Sequence, residues 1–331
     1  MREYRSFAAL GDSFTEGVGD LCADGVSCRG WADRFAEHLA GHRPGLRYAN
    51  LAIRGKLLGE VLDEQVPAAI SLGPDLVSLA AGGNDMLRPR TDPDELAVTF
   101  ETAVAKLTAA GCQVMAFTGF DPKAFPVIRL IRGKAAVFSM HVRVIAAKYD
   151  CLLADLWPMR ILTDRRLWSP DRLHMAADGH RRVALLACEV AGVPAPEDWR
   201  SPLSVQPARP GPASGARSWM SSRWSDVEWV TEHLAPYLSR RLHGISAGDG
   251  MEPKRPELAA FASQAAMVPA PFEPLPRADG AAPADDAEVG PAVIPEPAVI
   301  PEPAVAAEQA VAAEPAATPE SAAKAEPAAV Y

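Results

Sequence analysis

The sequence predicts a three-layer α/β/α domain over residues 1–199, built on a five-stranded parallel sheet. Three observations carry this: five short apolar runs, helical patterns between them, and a sharp change of composition near residue 200. Short, near-continuously apolar runs are strands covered on both faces. The helices between them are the crossovers that parallel neighbours require.

The first run, 5–10, leads into Gly11-Asp12-Ser13-Phe14-Thr15-Glu16-Gly17. A helix is expected over 31–39, where apolar residues recur every three or four positions. The run 46–52 follows, then a helix over 59–72 and the run 75–81. Thr91-Asp92-Pro93-Asp94-Glu95 opens the next helix, 93–110, with a capping residue, Pro at its first position and acids at the positive end of the dipole. The run 113–118, a helix over 134–148, the run 151–156 and a last helix over 176–191 complete the domain.

Residues 200–218 are rich in Pro, Gly and Ser and are expected to be a linker. Val227, Val230, Leu234, Leu238 and Leu242 then recur at helical spacing, with Pro236 as a kink. This accessory helix, within 219–250, cannot form a core alone and is expected to dock on the α/β domain or on a partner. From residue 251 a disordered, acidic tail is expected. Fifteen of the 31 prolines lie there, Pro291–Glu296 recurs as Pro297–Glu302, and Glu continues at 308, 314, 320 and 326. The tail is read as a solubilising tether, with binding of a protein partner as the sharper alternative.

Charge separates the two parts. The tail holds 4 Lys or Arg against 13 Asp or Glu, so it carries the whole net charge of −9, and residues 1–250 balance at 29 against 29. A balanced body argues against a nucleic-acid binder, which needs clustered cations. No apolar run approaches the ~18 residues of a membrane span. Met1-Arg2-Glu3-Tyr4-Arg5-Ser6 runs straight into Phe7 without the pattern of a secretion signal, so a cytoplasmic location is expected. Five cysteines without paired metal-ligand spacings fit reduced thiols, Cys112 and Cys151 as small core residues, and Cys22 and Cys28 as the only local pair able to form a disulfide.

The chemistry lies at strand ends. Ser13 follows the first strand, in the crevice where parallel sheets bind ligands and where helix-start N–H groups favour an anion. A serine becomes a nucleophile only beside a base, and the base needs an orienting group. Ser169-Pro170-Asp171-Arg172-Leu173-His174 supplies both, since Asp171 is spaced to hold the imidazole nitrogen that faces away from the serine. Ala81-Gly82-Gly83-Asn84-Asp85 follows the third run and offers the Asn84 amide to a developing oxyanion. Asp12 and Asp85 are read as structural, bonding loop backbone. His180 is read as a packing or capping residue. The remaining histidines, His38, His42, His141, His233 and His243, lack acids at ligand spacing, which argues against a metal site.

Together these residues resemble the SGNH, or GDSL-type, hydrolase family. Gly11-Asp12-Ser13 is similar to its Ser block, Gly55 within Asn50-Leu51-Ala52-Ile53-Arg54-Gly55 to its Gly block, Gly82-x-Asn84-Asp85 to its Asn block, and Asp171-x-x-His174 to its His block. All four stand in the family's order, and the likeness spans about residues 5–192. Phe14 takes the place commonly held by Leu and bears on pocket packing. The resemblance implies a flavodoxin-like sheet and hydrolysis of esters, thioesters or carbohydrate esters without a metal or organic cofactor. It further implies Ser13 as nucleophile, His174 as general base and acid, Asp171 as orienter, and an oxyanion hole of the Ser13 and Gly55 N–H groups and the Asn84 side chain. The expected partner is a small acyl ester or thioester, with the loop 121–126 and Trp168 walling its pocket.

Three other readings stay open from residues alone. An acyltransferase would use the same acyl-serine with a different acceptor. A silent scaffold would act through the tail. A nucleotide binder fits poorly, because the first turn lacks G-x-G-x-x-G and any Gly-Lys-Ser/Thr ending.

Overall fold

A computed structural model describes residues 3–125, 128–203 and 247–261. Its sheet has six strands in the order β5-β4-β3-β1-β2-β6. Strands β1 (Ser6–Gly11), β2 (Arg47–Asn50), β3 (Leu76–Ala80), β4 (Gln113–Phe117) and β5 (Leu152–Ala154) are parallel. Strand β6 (Arg255–Ala260) lies antiparallel to β2. All five expected strands form, each within a residue or two of its apolar run at either end.

Alternation along β1 builds two cores. Phe7 and Ala9 face Trp31 and Phe35 of α2 (Gly30–His42) and Val183 and Ala187 of α8 (Ala177–Ala191). Ala8 and Leu10 face the other layer, Phe100 of α6 (Pro93–Ala109) and Phe138 of α7 (Arg132–Lys148). Asp92 caps α6 as expected, its carboxylate accepting from the Asp94 N–H at 2.9 Å. The short helix α1 (Ser13–Glu16) follows β1, and α5 (Gly83–Met86) follows β3. The sheet order reverses between β1 and β3, which opens a crevice beyond their carboxyl ends, where both short helices begin.

Two expectations need correction. The helix over 59–72 is interrupted: α3 (Leu58–Glu60) and α4 (Val66–Leu72) are joined by a π turn, Val61–Gln65. That turn delivers Gln65 to the end of β1, where its amide accepts from the Gly11 N–H at 2.8 Å and donates to the Gly11 carbonyl at 2.9 Å. An apolar periodicity cannot register one wider turn.

The second correction is the sixth strand, which lies where a tail was expected. Arg255–Ala260 is mostly exposed, so it has no apolar run to announce it. It tolerates Pro256 because it is an edge strand. Ala259 pairs with Tyr48 and Arg255 with Asn50, so three residues including Pro256 stand opposite Ala49 alone. Phe261 anchors its end, donating its N–H to the Leu46 carbonyl at 2.8 Å and meeting the Tyr48 ring edge-on at 5.3 Å.

Among the described residues no helix is long and apolar enough to cross a membrane. All five cysteines are free, including Cys22 and Cys28. Burial pushes the thiols of Cys112 and Cys151 up, which suits core residues better than reactive ones. The expected accessory helix and most of the linker and tail lie outside the described residues.

Candidate active site

Ser13 opens α1, and its turn is capped by Asp12, whose carboxylate accepts from the Phe14 N–H at 3.0 Å. The other Asp12 oxygen accepts from the Asn84 amide at 3.2 Å, and the same amide donates to the Lys56 carbonyl at 3.0 Å. Asp85 accepts from the Leu58 N–H at 3.0 Å, and its own carbonyl accepts from the Thr91 hydroxyl at 2.6 Å. Both acids thus bond loop groups around the crevice, as their positions in the sequence suggested.

The loop between Trp168 and Met175 is a tight hairpin. Those two residues pair, the Ser169 N–H donates to the His174 carbonyl at 2.9 Å, and Arg172 takes a left-handed turn with φ 51°. This fold-back brings Asp171 beneath His174, with 2.6 Å between its carboxylate and His174 Nδ1. The second carboxylate oxygen accepts from the Leu173 and His174 N–H groups at 3.0 Å and from the Ser169 hydroxyl at 2.6 Å. Burial pushes the Asp171 carboxyl up. The bond to His174, its charge and the Ser169 hydroxyl outweigh that and hold it well below the usual carboxylate range. An ionised carboxylate on Nδ1 keeps the proton there and leaves Nε2 free to act as a base.

Ser13, Gly55, Asn84 and His174 all line one cavity of about 360 Å³. Four segments distant in sequence therefore meet, each at the carboxyl end of its strand or in the loop before α8. Gly19 makes one meeting possible: it has φ 97°, and a Cβ there would come within 2.2 Å of the Met175 carbonyl. Only a glycine lets the loop after the serine turn lie directly against the loop that carries His174. Gly55 also has positive φ, at 82°.

Several supporting groups had no signal in the sequence. The Ser169 hydroxyl fixes Asp171, although Ser169 was noted only as part of the motif. Glu16 is buried and holds the Arg54 N–H at 2.6 Å as well as the Arg54 guanidinium, joining the serine turn to the residue before Gly55. Neither contact follows a helical or strand period. His180 is fully buried. It accepts from the Trp31 N–H on Nδ1 and reaches the Val18 carbonyl through Nε2, both at 3.2 Å, so it packs rather than reacts. Burial pushes it down to about 4, despite the Val18 carbonyl and nearby Asp20.

Most of the rest of the wall is apolar. Phe14 stacks between Trp31 and His180 with centroids at 5.8 and 6.0 Å. Phe120 and Trp168 tilt together at 4.6 Å, and Pro122, Ile131 and Phe138 extend the lining. The loop after β4 and Trp168 thus do border the cavity.

A family model described as the GDSL-like lipase/acylhydrolase family matches residues 9–182, more than half of the chain. No curated protein matches the sequence. Among solved structures the chain is similar to TesA, with 22% identity over 56% of this chain and 97% of that one and a TM-score of 0.47. It is also similar to LAE5, an alpha/beta hydrolase enzyme from the metagenome of Lake Arreo, Spain, with 20% identity over 57% and 95% and a TM-score of 0.49. A third likeness is to Axe2, an acetylxylan esterase from Geobacillus stearothermophilus, with 20% identity over 59% and 95% and a TM-score of 0.48. The matched span runs from β1 into α8 and takes in all four segments that line the cavity, so this chain belongs to the GDSL-like lipase/acylhydrolase family and is a serine esterase.

Proposed function

We propose that Ser13 is the nucleophile of this esterase and that its substrate is an ester or thioester with an apolar acyl chain. The observation that carries the reading is a single cavity holding Ser13, His174, Gly55 and Asn84 at one end and a wall of Phe, Ile and Trp side chains beyond them.

His174 Nε2 takes the Ser13 proton as Oγ attacks the acyl carbonyl, while Asp171 stabilises the imidazolium through Nδ1. The tetrahedral oxyanion is met by the N–H groups of Ser13 and Gly55 and by Asn84. Asn84 Nδ2 donates to Asp12 at 3.2 Å and to the Lys56 carbonyl at 3.0 Å, and it meets the oxyanion by exchanging one of these partners as negative charge develops. Collapse expels the alcohol or thiol, which leaves with the proton from His174. Water activated by the same imidazole then removes the acyl group from Ser13.

The test is hydrolysis of p-nitrophenyl esters with acyl chains of two to twelve carbons by the full chain and by Ser13→Ala. Burial of each added methylene is worth about 0.8 kcal/mol, so kcat/KM rises up to about fourfold per carbon until the cavity is full. A fast-leaving ester gives a burst, and Ser13→Ala removes turnover. An enzyme that prefers acetyl esters and is indifferent to longer chains would sink the apolar acyl site, and a Ser13→Ala variant with a tenth of the activity would sink the nucleophile.

A further inference from the structure

The segment 247–254, well beyond α8 in the sequence, reaches the crevice. Ala247 lines the cavity. Gly248 lies against the Arg54 carbonyl so closely that a Cβ there would come within 2.2 Å of the oxygen. Lys254 extends its ammonium onto four oxygens: the Glu16 carbonyl at 2.6 Å, the Cys28 and Arg29 carbonyls at 2.9 Å, and the Asp33 carboxylate at 2.8 Å.

These contacts bear on backbone beside the Ser13 turn. Glu16 closes α1, the turn that begins with Ser13, and a cation on its carbonyl satisfies the negative end of that turn. Cys28 and Arg29 precede α2, whose first two N–H groups, those of Gly30 and Trp31, are held by Asp20 and His180. The two stretches cross where Gly17 and Gly30 meet, at a separation a Cβ on Gly17 would close to 2.6 Å. Lys254 therefore draws together three carbonyls that flank this crossing.

The Arg54 carbonyl matters for a different reason. It belongs to the same planar trans peptide as the Gly55 N–H, so fixing the direction of one fixes the opposite direction of the other. The preceding Arg54 N–H is held by Glu16 at 2.6 Å. The Arg54 backbone is thus held on its N–H side by the serine turn and bounded on its carbonyl side by Gly248.

We propose that residues 247–254 form a clasp that aims the Gly55 N–H and steadies the Ser13 turn, with Gly248 and Lys254 as its positioning residues. The proposal rests on the reading of Ser13 and Gly55 given above. It makes a segment beyond the family match part of the esterase's transition-state binding.

The test uses the full chain with Gly248→Ala, Lys254→Met and Lys254→Arg, assayed on one p-nitrophenyl ester and with an alkylboronic acid, whose boron forms a tetrahedral adduct with a nucleophilic serine. Gly248→Ala pushes the Arg54 carbonyl and turns the Gly55 N–H, and one misdirected oxyanion donor costs about 10²–10³ in rate. Expected are a fall in kcat of at least about tenfold for Gly248→Ala and Lys254→Met, a matching rise in the boronate inhibition constant, and KM within about twofold. Lys254→Arg, which keeps a donor cation, recovers most of the loss. Variants equal to a wild type that is active and boronate-sensitive would overturn the clasp alone, and a wild type that neither turns over the ester nor binds boronate would overturn both readings. A rise in KM without loss of kcat, or melting of both variants below the assay temperature, would make the segment structural only and overturn the positioning role.

Discussion

The hydrogen bond of 2.6 Å between Asp171 and His174 Nδ1 sets the tautomer on which the proposed chemistry depends. Asp171→Asn keeps the shape but presents an amide that can favour the wrong tautomer. We expect kcat to fall by about 10⁴, as in other serine triads, with KM little changed, in steady-state assays with a medium-chain ester. Ser169→Ala removes one of several donors to that carboxylate and should cost far less, on the order of tenfold, in the same assay. His180 affects stability instead. Its value when folded, about 4, lies below its ordinary 6.5, so the unfolded chain takes up the proton first. Its neutral-state contribution is complete above pH 6.5 and is lost as pH falls towards 4, at about 1.4 kcal/mol per pH unit. Urea midpoints measured from pH 7 to 4 should decline through that window, and His180→Gln should flatten the decline. An unchanged slope in the variant would assign the acid sensitivity elsewhere.

Among the elements, the loops do more than the helices to assemble the cavity. The loop after α1 can lie on the Asp171–His174 hairpin because residue 19 has no side chain and takes a left-handed φ. Gly19→Ala places a methyl group where the Met175 carbonyl stands, and the two loops must separate. The strain is worth about 1–3 kcal/mol. A lower melting temperature and a loss of kcat/KM of at least about tenfold should appear together, the first by calorimetry and the second with the ester series. Asp92→Ala provides a contrast at a helix cap that does not line the cavity. Loss of that cap costs about 1 kcal/mol of stability, and kcat should not change.

At the scale of the whole molecule, the cavity lies between the two layers' contributions, with Phe14 and Met175 from one side and Ile131 and Phe138 from the other. Its apolar end is therefore adjustable without touching Ser13 or His174. Ile131→Trp should shorten the preferred acyl chain by several carbons in the p-nitrophenyl ester series while leaving turnover of the acetyl ester near that of the wild type. An unshifted optimum would place the acyl chain elsewhere.

Strands and helices were legible in the sequence because burial on both faces imposes near-continuous apolar runs, and burial of one helical face imposes a 3.6-residue period. Ser13, Asn84, Asp171 and His174 were legible because each stands at a strand end or before the last helix, and Gly55 joined them through the resemblance of the ordered set to the family's four blocks. Other features depend on contacts between positions that no period links. The π turn that brings Gln65 to Gly11, the Glu16–Arg54 tie and the Gly19 contact are of that kind. The sixth strand was hidden because its side chains are mostly exposed and its stability comes from backbone pairing at an edge, which leaves no apolar pattern. Lys254 in an acidic, proline-rich stretch reads as a solvated charge. Only the tertiary structure brings it to three carbonyls beside the Ser13 turn, since carbonyls recruit a cation by their position in space and leave no mark on residue type.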